Sequence, residues 1–402
     1  MKIAKKDLIE RMLYIVLLLP FFKTDYMSKF EMINFVVLAW KIVSIVIIFS
    51  LVAKNKKISA KLVFLLVFCL WFVLTTIVKE GDISTCINYY LTITAFALFI
   101  DYTRFNDNFI YSLYFLFKIF IYINFITMII YPKGMYSTGT IYTGVATQNW
   151  FLGFKNIMVV YFLPGAIVSH IYMLRKPNKK LDVIVFNVII AISTLISGSS
   201  TTITALIVWV IGFLLRKKYK VFNYKTYLYF SIVLFLVIVI FRLQNIFALF
   251  IVGVLNKDLT FTHRTTLWDI TIDKFFKSPI IGYGWQKQEI RHAMYNSQTI
   301  ITAHNQILEW LYMGGFIGIM LYYIMLFKID NEINKYYSNS YIMVLSVGFL
   351  TLQIISLTEV YLNPMIFLPI IFMIYSGYLV DNKGKEGERN ERNFFVNNNT
   401  NL

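Results

Sequence analysis

LVFLLVFCLWFVLTTIV, residues 62–78, runs for seventeen residues without a charge, a glycine or a proline, between Lys61 and the polar KEGDIST of 79–85. Wound as a helix it would be about 26 Å long at 1.5 Å per residue, close to the hydrocarbon thickness of a bilayer. Comparable runs recur near 10–22, 30–52, 84–100, 109–131, 151–174, 181–197, 201–215, 226–241, 303–327, 341–357 and 364–380. The whole chain of 402 residues is 58% hydrophobic and only 15% charged, with a mean hydropathy of +0.65, which no soluble domain of this length could carry. The expected fold is therefore an all-α membrane protein, a polytopic helical bundle of about twelve transmembrane helices.

The formal charge of +17 would point to nucleic acid in a soluble chain. Here the basic residues fall in short loops between apolar runs, as cytoplasmic loops do. With the N-terminus inside, Lys54, Lys56, Lys57 and Lys61, then Arg175, Lys176, Lys179 and Lys180, then Arg216, Lys217, Lys218, Lys220 and Lys225 all fall inside. The weak point of this alternation is 101–108, placed inside on Arg104 alone. Lys2, Lys5, Lys6 and Arg11 precede the first apolar run, and no small-x-small cleavage site follows it, so an uncleaved first span is expected. Both termini are then cytoplasmic. Cys69 and Cys86 stand in apolar surroundings without a CxxC or a nearby His, and they read as small buried side chains.

The expected organisation is nine helices over 1–241, a large external loop over 242–302, three helices over 303–380 and a disordered cytoplasmic tail over 381–402. A connection of roughly 60 residues exceeds what a link between spans needs and is usually functional or disordered. Leu267, Trp268, Ile270, Ile272, Phe275 and Phe276 recur at helical spacing, which argues for order, and SPIIGYGW (278–285) then breaks the helix. No tandem repeat and no match between halves is visible, which disfavours an inverted-repeat transporter.

This same region, His263 to Gly318, is the chemically mixed part of the chain. It holds Arg264, Lys274, Lys277, Lys287 and Arg291 with His263, His292 and His304, against Asp269, Asp273 and Glu289. A basic, aromatic surface at the outer face suits an anionic lipid head group such as a diphosphate. Lys287 and Arg291 fit equally well as charges that keep a loop solvated. His304 falls where loop meets span, with Asn305 and Glu309 one helical turn apart beside it. Such a His can accept a proton from a sugar hydroxyl, or it can simply hydrogen-bond water or lipid at the interface. Gly314 and Gly318 form a Gly-x-x-x-Gly pair that serves close helix packing, and Gly282 and Gly284 read as turn glycines. Lys155, Arg242, Glu309 and Glu359 gather toward the expected outer side, while Lys41 and Lys118 can snorkel. There is no Walker A sequence, HExxH, GxSxG or DxD pair, which disfavours an ATP-driven pump, a zinc protease and a metal-dependent cytosolic glycosyltransferase. No metal site and no cofactor are expected.

Arg264 followed by Trp268, SPIIGYGW and AHNQILEWLYMGGFIG (303–318) resembles the O-antigen polymerase and O-antigen ligase family of bacterial integral membrane glycosyltransferases. GFKNIMVVYFLPGA (153–166) adds a weaker likeness, with Gly153, Lys155 and Asn156 matching an element at the external start of a span. One departure is that Ser199 and Ser200 stand where the family often carries an Arg after a small-residue run. The resemblance implies a GT-C-like architecture and metal-independent, inverting transfer of a glycan from a polyprenyl diphosphate to a sugar hydroxyl at the outer face of the plasma membrane. It also implies roles: His304 and Arg264 as catalytic residues with Glu309 as base or supporting group, and Lys155, Asn156, Arg242, His263, Trp268 and Asn305 around diphosphate and glycan. The partners it implies are a polyprenyl-diphosphate-linked oligosaccharide, membrane lipid, and other assembly proteins such as a flippase and a chain-length regulator. A polymerase of capsule or O-antigen repeat units is the first expectation. A ligase that moves finished glycan to another acceptor uses the same chemistry, and a lipid-linked oligosaccharide flippase is the alternative of a different class.

Overall fold

A computed structural model describes residues 5–55, 59–139, 146–219, 223–243, 246, 253 and 264–381. His263 and the tail from 382 lie outside the described residues, as does much of 244–263.

The apolar runs become helices. In order they are α1 (Lys5–Leu18), continued by a 3-10 turn Leu19–Phe22; the short α2 (Asp25–Ser28); α3 (Glu31–Asn55); α4 (Leu62–Val78); α5 (Ile83–Thr103); and α6 (Asp107–Ile130). A two-residue hairpin follows, β1 (Asn149–Trp150) against β2 (Gly153–Phe154). The next helices are α7 (Val159–Arg175), α8 (Lys180–Ser197), α9 (Ser200–Lys218) and α10 (Tyr224–Phe235), which ends in a π turn Leu236–Ile240. After these come α11 (Arg264–Lys277), α12 (Gln288–Tyr295), α13 (Gln306–Ile333), α14 (Ser340–Ser356) and, after a 3-10 turn Pro364–Phe367, α15 (Leu368–Ile374), with residues 376–381 again helical. Among the described residues five helices are long and apolar enough to cross a membrane, and several shorter apolar ones pack with them. Outward faces are greasy: Met32 is 82% and Phe35 73% exposed on α3, and Leu181 and Leu195 stand out on α8. Such surface is stable only against lipid, so the chain is an all-α polytopic membrane protein.

One expected boundary moves. The span read from 151 begins at Val159, because Asn124 Oδ1 and the Thr127 hydroxyl accept the Leu152 and Phe151 N–H groups and hold 149–154 as a hairpin. Gly153 sits at φ +126 against Asp25, where no side chain would fit. Burial pushes the Asp25 carboxyl above its usual range, against the smaller opposing pull of the Phe154 N–H and Lys23.

The 242–302 region is not a free loop in its described part. Helix α13 breaks at Gly315, whose backbone (φ 62, ψ −164) is open to glycine alone. The break exposes main-chain groups that the 278–285 turn satisfies. Tyr283 and Gly284 N–H donate to the Tyr312 and Met313 carbonyls at 2.8 Å, and Phe316 N–H donates to Pro279 O at 2.7 Å. The turn is thus stitched into the broken helix and lies against the end of α4. There Trp285 N–H donates to Thr76 Oγ1 and Trp71 Nε1 to Gly314 O. Gly314 and Gly318 lie flat on Phe72, the close helix packing that their spacing predicts.

Candidate functional site

Four segments far apart in sequence meet at one carboxylate. Glu359 lies in the turn after α14 and is 6% exposed. Its Oε1 accepts from Arg264 Nη2 at 2.6 Å, Asn156 Nδ2 at 2.8 Å and Thr201 Oγ1 at 3.4 Å, and its Oε2 lies 3.2 Å from His304 Nδ1. Arg264 Nη1 also donates to the Thr358 carbonyl, and Ser199 Oγ donates to Asn156 Oδ1 at 2.7 Å. Burial alone would raise the Glu359 carboxyl, but Arg264 and His304 outweigh it and hold the carboxyl down at about 2. Glu359 is therefore ionised at neutral pH.

The local sequence explains why these groups converge. Arg264 opens α11, Ser199 caps α9, Asn156 lies just before α7, and His304 lies just before the Asn305 cap of α13. Each is at or beside a helix N-terminus, whose free N–H groups and positive dipole end favour anions. All of them come from segments that the loop charges place on one side of the membrane. His304 holds a left-handed backbone (φ +49), uncommon outside glycine, which turns the chain sharply into α13.

The remaining expected residues sort differently. Asn305 is fully buried; its Oδ1 accepts the Leu308 N–H and its Nδ2 donates to Leu357 O at 2.9 Å, tying the His304 turn to the Glu359 turn. Lys155 is half-buried in the turn after β2, beside Asn156. Arg242 pairs with Asp269, donates to the Thr265 carbonyl at 3.3 Å and lies 4.9 Å over the Trp268 ring. Trp268 is wholly buried, with the Arg242 guanidinium over its ring, and anchors α11.

Glu309 makes a separate buried pairing. Arg291 Nη2 reaches both its oxygens at 2.7 Å, and the Ala303 N–H donates to Oε2 at 2.8 Å. Arg291 Nε donates to Ile301 O at 2.7 Å, and its guanidinium lies 4.1 Å over the Tyr312 ring. Burial alone would weaken the Arg291 charge, but Glu309 together with Tyr295 and Tyr312 outweighs it and raises the pKa above the ordinary arginine range. Through these contacts Glu309 fastens the 301–304 loop to α12. Arg291, equally readable from sequence as a solvated charge, is 4% exposed.

Glu359 is the residue that the sequence reading leaves out of the site. Its signal was a lone carboxylate at the outer end of an apolar run, already grouped with the other outer-side charges. Among the described residues no cluster of His, Cys, Asp and Glu is arranged to hold a metal ion.

The O-antigen ligase family model matches residues 185–323, about a third of the chain, from α8 into α13. The chain is thus similar to the O-antigen polymerase and ligase families over the segment that carries Arg264 and His304. Asn156 and Glu359 lie outside the match. A comparison with curated proteins found no match.

Proposed function

We propose, with that family match as the premise, that this protein is a polysaccharide polymerase. It would transfer a glycan from polyprenyl diphosphate to a sugar hydroxyl of another lipid-linked repeat unit, at the outer face of a bacterial plasma membrane. The observation that carries the reading is the His304–Glu359–Arg264 cluster, with His304 and Arg264 at helix N-termini inside the segment that the O-antigen ligase family model matches.

The cluster supplies what such a transfer needs. Glu359 holds His304 through Nδ1, leaving Nε2 to accept the acceptor hydroxyl proton as the oxygen attacks the anomeric carbon. The bond from that carbon to the diphosphate oxygen breaks, and polyprenyl diphosphate leaves with its electrons. Arg264 spends one N–H on Glu359 and another on Thr358 O, and its remaining donors can bind the growing phosphate charge. Lys155, next to Asn156 in sequence, is the second cation of this reading, in the role of the Arg that the family often has near Ser199 and Ser200. Attack opposite the leaving group inverts the anomeric centre, and no metal or cofactor takes part.

The matched family is described as O-antigen ligase, which favours a second reading in which finished glycan moves to a different acceptor. A surface-polysaccharide gel from cells lacking the gene separates the readings. Loss of a polymerase leaves single repeat units at the surface; loss of a ligase leaves long chains on the lipid carrier. Absence of any external unit would instead mean a flippase.

A further inference from the structure

A cavity of about 150 Å³ lies beside the Glu359 cluster, bounded by the start of α5, the 283–288 turn, α12 and α13. It touches the two loops that carry the cluster, through Ile301 and Thr302 ahead of His304 and through Leu362 after Glu359. Its wall combines the aromatic rings of Trp285, Tyr89 and Tyr312 with the amide side chains of Asn88, Gln286 and Gln288. We infer that this cavity is a subsite for one neutral, hydroxyl-rich sugar unit of the glycan. The inference rests on the transfer reading above.

The chemistry is that of a pyranose. A sugar ring presents an apolar C–H face, which packs on an aromatic ring, and an equator of hydroxyls that want paired donors and acceptors. Amides provide both. Asn88 Oδ1 accepts from Lys41 at 2.9 Å, so its Nδ2 remains a donor toward a ligand. The charged groups of the wall are largely spent: Arg291 on Glu309, and Asp82 on Thr85, whose N–H and hydroxyl it accepts at 3.0 and 2.6 Å. A neutral sugar therefore fits better than an acidic one.

Trp285 is held with unusual care for a half-exposed side chain. Its N–H is fixed by Thr76 Oγ1 and its carbonyl by the Asp82 N–H at 2.7 Å, and its ring lies 5.2 Å from Tyr89. Gly284 before it sits at φ +67, where a Cβ would come within 2.5 Å of Thr76 Cα. These constraints act on the main chain, so the indole can be removed without releasing the turn.

The test uses the full-length protein with lipid-linked repeat units, together with lipid-free oligosaccharide released from them by mild acid. Trp285→Ala is expected to raise KM for the lipid-linked unit about tenfold, the loss of one good contact, with kcat little changed. Trp285→Phe should restore most of it, and Gln288→Ala, an exposed side chain, should shift KM in the same direction. Released oligosaccharide should bind His304→Ala protein and fail to bind when Trp285→Ala is added, a readout independent of transfer. Wild-type protein that transfers glycan with the same KM as Trp285→Ala and Gln288→Ala overturns the subsite and leaves the transfer reading intact. Trp285-dependent binding by wild-type protein that makes no product supports the subsite and sinks the transfer reading.

Discussion

His304 and Glu359, 55 positions apart, meet with Nδ1 3.2 Å from Oε2 across the mouths of α13 and α14. The same carboxylate holds Arg264 on its other oxygen. One residue therefore sets both the imidazole that would take a proton and the guanidinium that would meet a diphosphate.

Glu359→Gln keeps the size of the side chain and removes the charge that holds both groups. Transfer should fall about a hundredfold or more, in the range seen when a catalytic acid–base group or its orienting carboxylate is lost. Rates of product formation by purified protein, normalised to folded protein, check this. Activity within threefold of wild type would deny Glu359 its role.

Arg264→Lys preserves a positive charge but not the fork that reaches Glu359 and Thr358 together. The expected cost is about a hundredfold in kcat/KM, because a point charge cannot reproduce a planar, multiply bonded guanidinium. Full activity in the lysine variant would reduce Arg264 to a simple counter-charge.

Arg291 and Glu309 form a buried pair, and loss of either partner alone should destabilise the protein by roughly 3–5 kcal/mol by stranding the other charge. Arg291→Met with Glu309→Leu should recover most of that loss in thermal unfolding in detergent, and should retain measurable transfer. A double variant that is stable but wholly inactive would support Glu309 as a base.

The depressed Glu359 carboxyl gives an acid dependence of defined sign. A carboxyl held at about 2 when folded, against an ordinary value near 4.5, stabilises the fold fully above the latter. That contribution, of the order of 3 kcal/mol, is lost as pH falls from about 4.5 through 2. Unfolding midpoints of wild type should drop toward those of Glu359→Gln from about pH 5 down through pH 2, the two converging at the acid end. Parallel curves would contradict it.

The helices were legible because a span must be a long apolar run, and 62–78 could hardly be anything else. The hairpin at 149–154 was not, since it is held by Asn124 and Thr127 of a different helix. His304 and Arg264 stood out by residue type in a mixed segment. Glu359 did not, because its meaning lies in partners 55 to 203 positions away, and nothing local separates it from an interfacial carboxylate. The burial of Trp268 and Arg291 was not legible for a related reason: in an amphipathic segment, composition does not tell which face meets the protein and which meets water. Glycines 282 and 284 were read as turn residues, and the structure adds that Gly282 fits against Gly315 at the α13 break while Gly284 fits against Thr76 of α4.

The most direct measurement is the incubation of purified protein with one lipid-linked repeat unit in the presence of a chelator, followed by separation of products by length. Wild type should yield a ladder of longer lipid-linked glycans with inverted linkage, while His304→Ala and Glu359→Gln, present at equal folded amounts, should leave the starting unit. Ladders of equal length and yield from all three proteins would contradict the His304–Glu359 site.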